Sequence, residues 1–111
     1  MPNRPRVKCK VARVIRPQAT SAVQVDNERV RVTEWRFAPG EATGWHRHEL
    51  DYVIVPVAGG TIRLESASGS SEAELVSGRS YYREAVIEHD VVNAGETEVV
   101  FVEVELKPEG D

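Results

Sequence analysis

Hydrophobic and polar residues alternate with a period of two along several short stretches of this chain. One clear run spans residues 29–37, and a second spans residues 98–106, where valines occupy positions 100, 102 and 104. In a β-strand, successive side chains point to opposite faces, so this alternation is the mark of a strand with one buried face. Both stretches are therefore predicted to be β-strands.

Shorter runs of β-branched and aromatic residues predict further strands at residues 11–15, 21–26, 61–65, 80–83 and 87–93, and a histidine-containing strand that ends near Val57. The segment SASGSS, residues 66–71, is expected to be a flexible loop. No stretch of ten or more residues carries a convincing helical period. Many short strands with closely spaced turns predict an all-β sandwich or barrel.

The chain has 111 residues, which is near the commonest size of a single domain. We predict a flexible N-terminal arm over residues 1–10, one domain over 11–107 and a tail over 108–111. A net charge of −4 argues against nucleic acid and anionic membranes as partners. No apolar run approaches the length of a membrane span and no signal-peptide pattern is visible, so a cytoplasmic location is expected. The single cysteine, Cys9, rules out an internal disulfide framework.

The histidines are the strongest chemical signal in the sequence. His46 and His48 lie two residues apart, so on a strand both would face the same space, and His89 arrives from a separate predicted strand. The alternative is a solvent-exposed pair, since His-x-His alone is a weak motif. Together, the three imidazoles predict one metal site that suits Fe, Zn, Ni or Cu better than magnesium or calcium.

The spacing of these residues resembles the first sequence motif of the cupin superfamily. That motif is a glycine, five residues, His-x-His, three or four residues, a glutamate, six residues and a glycine. Gly40, His46, His48 and Gly59 fall on this frame, but Tyr52 stands where the glutamate is expected. The resemblance therefore implies a metal site of three histidines without the usual carboxylate.

The second cupin motif is a glycine, five residues, Pro-x-Gly, two residues, a histidine, three residues and an asparagine. Gly78, His89 and Asn93 fall on it, while residues 84–86 depart from Pro-x-Gly. The stretches DNERVRVTEWRFAPGEATGWHRH, GRSYYRE and FVEVELK further resemble small single-domain bacterial cupins described as β-alanine-degradation or cupin-2 proteins. The resemblance implies a cupin-type jelly-roll β-barrel with one divalent transition metal ion, and a homodimer as the expected assembly.

Four further residues are candidates for chemistry or substrate binding. Tyr52 shares parity with the two neighbouring histidines, so its phenol is expected inside the barrel as the catalytic candidate. It could bind the metal, hydrogen-bond a bound water or only pack, and hydrogen bonding or packing is favoured because a neutral phenol is a poor ligand. Glu34 and Arg36 would bind a polar substrate if their face of the strand looks inward; otherwise they form a surface ion pair beside a buried Trp35 and Phe37. Of the adjacent tyrosines 81 and 82, one should line the cavity, and we select Tyr82.

The resemblance leaves three functions open, because cupins include enzymes, storage proteins and ligand-binding regulators. The first is a metal-dependent enzyme acting on a small organic molecule, similar to the thiol dioxygenases with their three-histidine sites, or an isomerase. The second is a module that binds a small ligand without chemistry, and the third is a structural cupin stabilised by its metal.

Overall fold

A computed structural model describes residues 16–109 of the chain. Within this range it contains nine β-strands: β1 (Thr20–Asp26), β2 (Val30–Phe37), β3 (His46–His48), β4 (Tyr52–Ala58), β5 (Gly60–Ser66), β6 (Gly69–Leu75), β7 (Tyr81–Arg83), β8 (Ile87–Asn93) and β9 (Val99–Leu106). The described residues form no helix. The prediction of an all-β protein is confirmed. The predicted N-terminal arm and the predicted strand at residues 11–15 lie outside the described range.

The strands form two sheets that face each other. One sheet has five strands in the order β1-β2-β9-β4-β7, and the other has four in the order β3-β8-β5-β6. Every pairing between these strands is antiparallel. Because β3 and β4 belong to different sheets, the chain crosses from one sheet to the other between His48 and Tyr52.

The apolar face of each sheet points into a shared core. Phe37, Ile62 and Val99 are almost completely buried, and the rings of Phe37 and Phe101 lie 5.4 Å apart between centroids. Burying a side chain of this size contributes about 1.5–3 kcal/mol. This core fills one part of the space between the sheets, and the remaining part is a cavity.

Two sequence-based expectations were wrong in detail. Residues 66–71 do not form a flexible loop, because Ser66 already pairs with Gly69 and strand β6 continues from there along β5. Its small polar side chains are exposed, so the hydrophobic pattern gave no sign of a strand held by backbone pairing. The histidine strand is also not continuous, since the chain changes sheet between His48 and Tyr52.

Gly59 illustrates how close the backbone comes to itself at one end of the barrel. A Cβ atom at this position would lie 2.2 Å from the carbonyl oxygen of Leu75, so any larger residue would force the backbone apart. The close approach of the Leu75 backbone, and not a positive φ angle, therefore explains why this motif position is a glycine. By contrast, Gly40 and Gly78 adopt φ angles of 86° and 82°, as expected of turn glycines.

Residues 16–109 include no helix that is long and apolar enough to cross a membrane.

Candidate metal centre

Backbone pairing in the four-stranded sheet brings the three histidines together. His46 on β3 lies directly opposite His89 on β8. Opposite residues of an antiparallel pair project from the same face, and His48 follows two residues further along that face. The face points into the cavity, where His48 and His89 are buried and His46 is partly exposed.

The imidazole nitrogens converge on a point that one ion could occupy. One ring nitrogen from each histidine lies within 4.8 Å of the others, and the two Nε2 atoms of His46 and His48 are 3.0 Å apart. Two nitrogens bound to one ion at ~2.1 Å, in directions at right angles, would lie ~3.0 Å apart. The separation between His46 and His48 therefore fits neighbouring ligands of a single metal ion.

The Nε2 atom of His89 provides a second, independent indication. It is buried, and among the residues that the structure describes it has no hydrogen-bond partner. An unsatisfied buried polar atom costs about 1–3 kcal/mol, so native structures rarely retain one without a purpose. A metal ion at the convergence point would satisfy this nitrogen, and so the residues present fit a transition metal.

The orientation of His46 is fixed by groups behind it. Its Nδ1 atom lies 2.8 Å from the carbonyl oxygen of Gly44, which can only accept, so Nδ1 carries the proton in that bond. This leaves Nε2 free of a proton in the neutral ring and directed into the cavity. Asp90 holds the same loop in place by accepting a hydrogen bond from the Gly44 amide at 3.0 Å.

Burial keeps the other two imidazoles neutral. Desolvation, followed by Coulombic repulsion between the protonated forms of His48 and His46 and by the charge of Arg83, lowers the pKa of His48 to about 4. Desolvation, followed by the same repulsion from protonated His46 and His48 and by the charge of Arg83, lowers the pKa of His89 to about 3. A metal ligand must be deprotonated, so both rings are prepared for coordination at neutral pH without first losing a proton.

Tyr52, the residue at the motif position of the missing glutamate, does point into the cavity. It is 2% exposed, and its ring stacks on that of His48 at 4.0 Å between centroids with an interplanar angle of 22°. Burial raises the pKa of its phenol to about 12, against a smaller lowering by Arg83. Its hydroxyl therefore stays protonated and can donate a hydrogen bond. Tyr52 reaches the cavity from the opposite sheet, and not along a strand shared with the histidines.

A buried carboxyl group, Glu103 on β9, also lines the cavity. One of its oxygens lies 3.6 Å from Nε2 of His48, and its side chain is 12% exposed. Burial, reinforced by the negative charge of Glu105 and opposed by the Trp35 side chain, raises the pKa of Glu103 to about 7. The cavity thus contains a carboxyl that can give or take a proton near neutral pH.

The cavity itself has two chemically different walls. It has a volume of about 470 Å³, part of which is open to solvent. The four-stranded sheet contributes the histidines and the aliphatic side chains of Ile62, Leu64 and Val91. The five-stranded sheet contributes aromatic residues and the polar side chains of Tyr52, Arg83 and Glu103. A molecule that enters this cavity therefore lies between a metal-binding wall and a polar wall.

Glu34 and Arg36 do not line this cavity. In β2, Trp35 faces the cavity and Phe37 the core, so alternation puts Glu34 and Arg36 on the outer face of the five-stranded sheet. There the Nε atom of Arg36 donates a hydrogen bond to Oε1 of Glu34 at 3.0 Å. The condition for substrate binding, that their face looks inward, is not met, and the two residues form the surface ion pair instead.

Tyr82 is likewise outside the cavity, and its neighbour Tyr81 lines it. Tyr82 is 52% exposed, and its hydroxyl donates a hydrogen bond to Asp51 on the protein surface. That bond raises the pKa of Tyr82 and lowers the pKa of Asp51. Adjacent strand residues face opposite ways, and the sequence could not show which of the two tyrosines pointed inward.

The sequence reasoning missed two cavity residues, Glu103 and Arg83. Glu103 has the same parity as Phe101, so a buried Phe101 was the signal that this glutamate also faces inward. Arg83 lies opposite Tyr52 in the pairing of β4 and β7, which the sequence does not reveal. The second-motif residue Asn93, in contrast, is structural, since its side-chain amide donates to the carbonyl oxygens of Phe37 and Thr97 at 3.0 and 2.9 Å.

Comparison with known proteins agrees with this architecture. A family model described as "Cupin domain" matches residues 33–105, inside the predicted domain of residues 11–107. The chain is 59% identical over 92 residues to the "Beta-alanine degradation protein BauB" of Pseudomonas aeruginosa, covering 83% of this chain and 97% of that protein.

Solved structures show the same fold. A cupin domain from Bordetella pertussis matches with a TM-score of 0.82 and 54% identity, over 86% of this chain and 99% of that one. A cupin superfamily protein from Desulfitobacterium hafniense matches with a TM-score of 0.65 at 16% identity, over 87% and 84% of the two chains. The predicted jelly-roll β-barrel is therefore confirmed, and the chain belongs to the cupin family.

Proposed function

We propose that this cupin is a metal-dependent enzyme, dioxygenase-like in its metal site, that acts on a small organic molecule held in the cavity. The observation that carries the proposal is the convergence of three imidazoles, together with the buried Nε2 of His89, which has no hydrogen-bond partner in the range 16–109. A divalent transition metal such as iron, zinc, nickel or copper would be held by His46, His48 and His89. Such an ion supplies open coordination positions and Lewis acidity.

The surrounding residues supply the remaining functions that an enzyme needs. The protonated hydroxyl of Tyr52 is a hydrogen-bond donor inside the cavity, and the carboxyl of Glu103 can accept or release a proton near neutral pH. The apolar side chains of Ile62, Leu64 and Val91 exclude water from the bound molecule. The proposal therefore assigns proton transfer to Glu103 and orientation of the substrate to Tyr52.

The relative in Pseudomonas aeruginosa suggests where to look for a substrate. Its name places it in β-alanine degradation, and its sequence aligns with 83% of this chain. We therefore propose that this protein also takes part in β-alanine degradation, with a small amino or carboxylic acid as its substrate.

The test begins with elemental analysis of protein purified without a histidine tag, because iron and zinc point to different chemistry. Oxygen uptake and product formation are then measured for the metal-replete protein with small thiols, β-alanine and related carboxylic acids. We expect turnover in the wild type and its loss in His46→Ala and His89→Ala. Turnover no higher than that of the metal-free protein with every compound would refute the enzymatic proposal.

A non-catalytic cupin is the alternative, and it is favoured by the replacement of the motif glutamate by Tyr52. If the protein only binds a ligand, a small molecule should raise the melting temperature without being converted. If the metal only stabilises the barrel, chelation should lower the melting temperature and no small molecule should raise it.

We also propose that the protein is a homodimer. Strand β1 is exposed along its whole length at the edge of the five-stranded sheet, and its Val23 and Val25 are 59% and 43% exposed. An exposed edge strand is a template for pairing with another chain, and exposed apolar side chains there favour such a contact. Light scattering coupled to size exclusion should give twice the 12.3 kDa chain mass, and a monomer mass would contradict the proposal.

A further inference from the structure

Arg83 is unusual among the arginines of residues 16–109. Every other arginine in this range forms an ion pair with a carboxylate, except Arg79, which is exposed to solvent. Arg83 is partly buried, lines the cavity, and forms no ion pair or side-chain hydrogen bond with any described residue. A guanidinium that is partly removed from water without a partner is costly to the fold.

The backbone pairing of β4 and β7 fixes the place of Arg83 in the cavity. It stands directly opposite Tyr52, whose ring stacks on His48. Arg83 therefore faces the metal-binding wall from the polar wall and is not one of the converging ligands. Its positive charge reaches the buried groups, since it contributes to lowering the pKa values of His48, His89 and Tyr52.

The one carboxyl group that lines the same cavity does not neutralise Arg83. Glu103 lies close to His48, and its nearest contact with a basic side chain is with that imidazole at 3.6 Å. The guanidinium of Arg83 lines the cavity and has no carboxylate partner among residues 16–109, and its two parallel N–H donors match the geometry of a carboxylate with two oxygens.

We propose that Arg83 is the anchor for the carboxylate of the bound molecule, which makes small organic carboxylates the ligand class of this cavity. The inference rests on the proposed small-molecule site beside the three histidines. In this arrangement the guanidinium binds one end of the ligand at the polar wall, and the rest of the molecule extends past Tyr52 towards the imidazoles.

The experiment measures ligand binding and not turnover. Zinc-loaded protein is titrated by calorimetry with propionate, β-alanine and propionamide, the last being an uncharged analogue of propionate. Zinc is redox-inert, so binding can be observed without oxidation of the ligand. The variants are Arg83→Gln and Arg83→Lys, with Arg79→Gln as the matched control, because it removes the same charge from a solvent-exposed position outside the cavity.

We expect the wild type and Arg79→Gln to bind at least one of the carboxylates and to bind propionamide more weakly. Arg83→Gln should weaken carboxylate binding by about ten- to a hundredfold, which is the usual effect of losing a charged hydrogen bond. Arg83→Lys should fall between them, because lysine keeps the charge but loses the two-pronged geometry. Because Arg83→Lys keeps a positive charge at this position, it also serves as the control if Arg83→Gln fails to fold.

Equal carboxylate affinity in Arg83→Gln and Arg79→Gln would overturn the inference, as would equal affinity of the wild type for propionate and propionamide. Absence of carboxylate binding by a wild type that holds its metal would also overturn it, while leaving the metal site intact. Metal content is measured separately in each variant. If no variant binds metal, the proposed enzyme fails, and the same titrations of metal-free protein still test Arg83.

Discussion

Each face of the five-stranded sheet carries a glutamate and an arginine, but only the two on the outer face bond to each other. On the outer face, Glu34 and Arg36 bond to each other at 3.0 Å, and both retain contact with water. On the inner face, Glu103 and Arg83 line the cavity without forming an ion pair with each other. The outer pair is satisfied by the protein, whereas Arg83 on the inner face has no carboxylate partner among the residues that the structure describes, and Glu103 lies beside His48 instead.

This difference indicates where function resides. An exposed ion pair contributes little to stability, typically 0.2–1 kcal/mol, and costs little to maintain. Buried, poorly paired charges oppose folding, and they are found mainly where binding or catalysis uses them. The inner face also lies across the cavity from the three histidines, so Arg83, Glu103 and the candidate metal site share one space.

The strongest test of this contrast removes a ligand from the inner side. His89→Ala should lower metal affinity by at least about a hundredfold, because even the loss of a supporting residue behind a ligand costs about 10–100-fold. The measurement is metal content after dialysis against buffers of defined free zinc concentration. Glu34→Gln, on the outer face, is the control and should bind metal as the wild type does.

Retention of the full metal content by His89→Ala would contradict the three-histidine site. It would show that the buried Nε2 atom of His89 is unsatisfied for some reason other than coordination.

Much of the fold could be predicted from the sequence because it depends on local alternation. Strand β8 (Ile87–Asn93) begins and ends where predicted, and strands β2 and β9 each differ by one residue at the start. The start of strand β6 was missed because residues 69–72 are small or charged and exposed, and pairing with β5 holds them in place. Backbone hydrogen bonds between strands do not require particular side chains, so a segment held in this way is hard to identify from its composition.

In the candidate site, the sequence correctly predicted only the residues that occupy positions of the two cupin motifs. His46, His48, His89 and Tyr52 do meet in space, but parity could not tell the inner face of β2 from its outer face. Glu34 and Arg36 were therefore named as substrate-binding candidates on the condition that their face looks inward, and they do not line the cavity. Glu103 shares the parity of Phe101, a local signal that was not used, whereas Arg83 comes from a strand whose neighbour is decided by the three-dimensional topology, so no local pattern identified it.

A second prediction concerns the pH dependence of stability. The folded-state pKa of Glu103 is raised from the ordinary 4.5 to about 7, so folding favours the neutral acid. Between pH 4.5 and pH 7, the carboxyl group of Glu103 ionises in the unfolded chain but stays mostly protonated in the folded protein. The free energy of unfolding therefore falls as pH rises through this range. Glu103→Gln removes this penalty. The variant should gain on the order of 1–3 kcal/mol relative to wild type between pH 4.5 and pH 8.

Urea unfolding of metal-free wild type and Glu103→Gln across this pH range measures the difference in unfolding free energy. Comparing two proteins cancels the effect of His48 and His89, whose lowered pKa values reduce the stability of both as pH falls below 6.5. A constant difference between the two curves would mean that Glu103 titrates as an ordinary exposed carboxyl.

The smallest effect is expected on the outer face. A double-mutant cycle with Glu34→Gln, Arg36→Gln and the combined variant should give a coupling energy of about 0.2–1 kcal/mol by urea unfolding. The side chains of Arg36 and Glu34 are 50% and 25% exposed, so water and salt screen their attraction. None of these variants should alter the binding of propionate to zinc-loaded protein. A tenfold loss of carboxylate binding in either single variant would return Glu34 and Arg36 to the role of substrate-binding residues and would remove the distinction between the two faces.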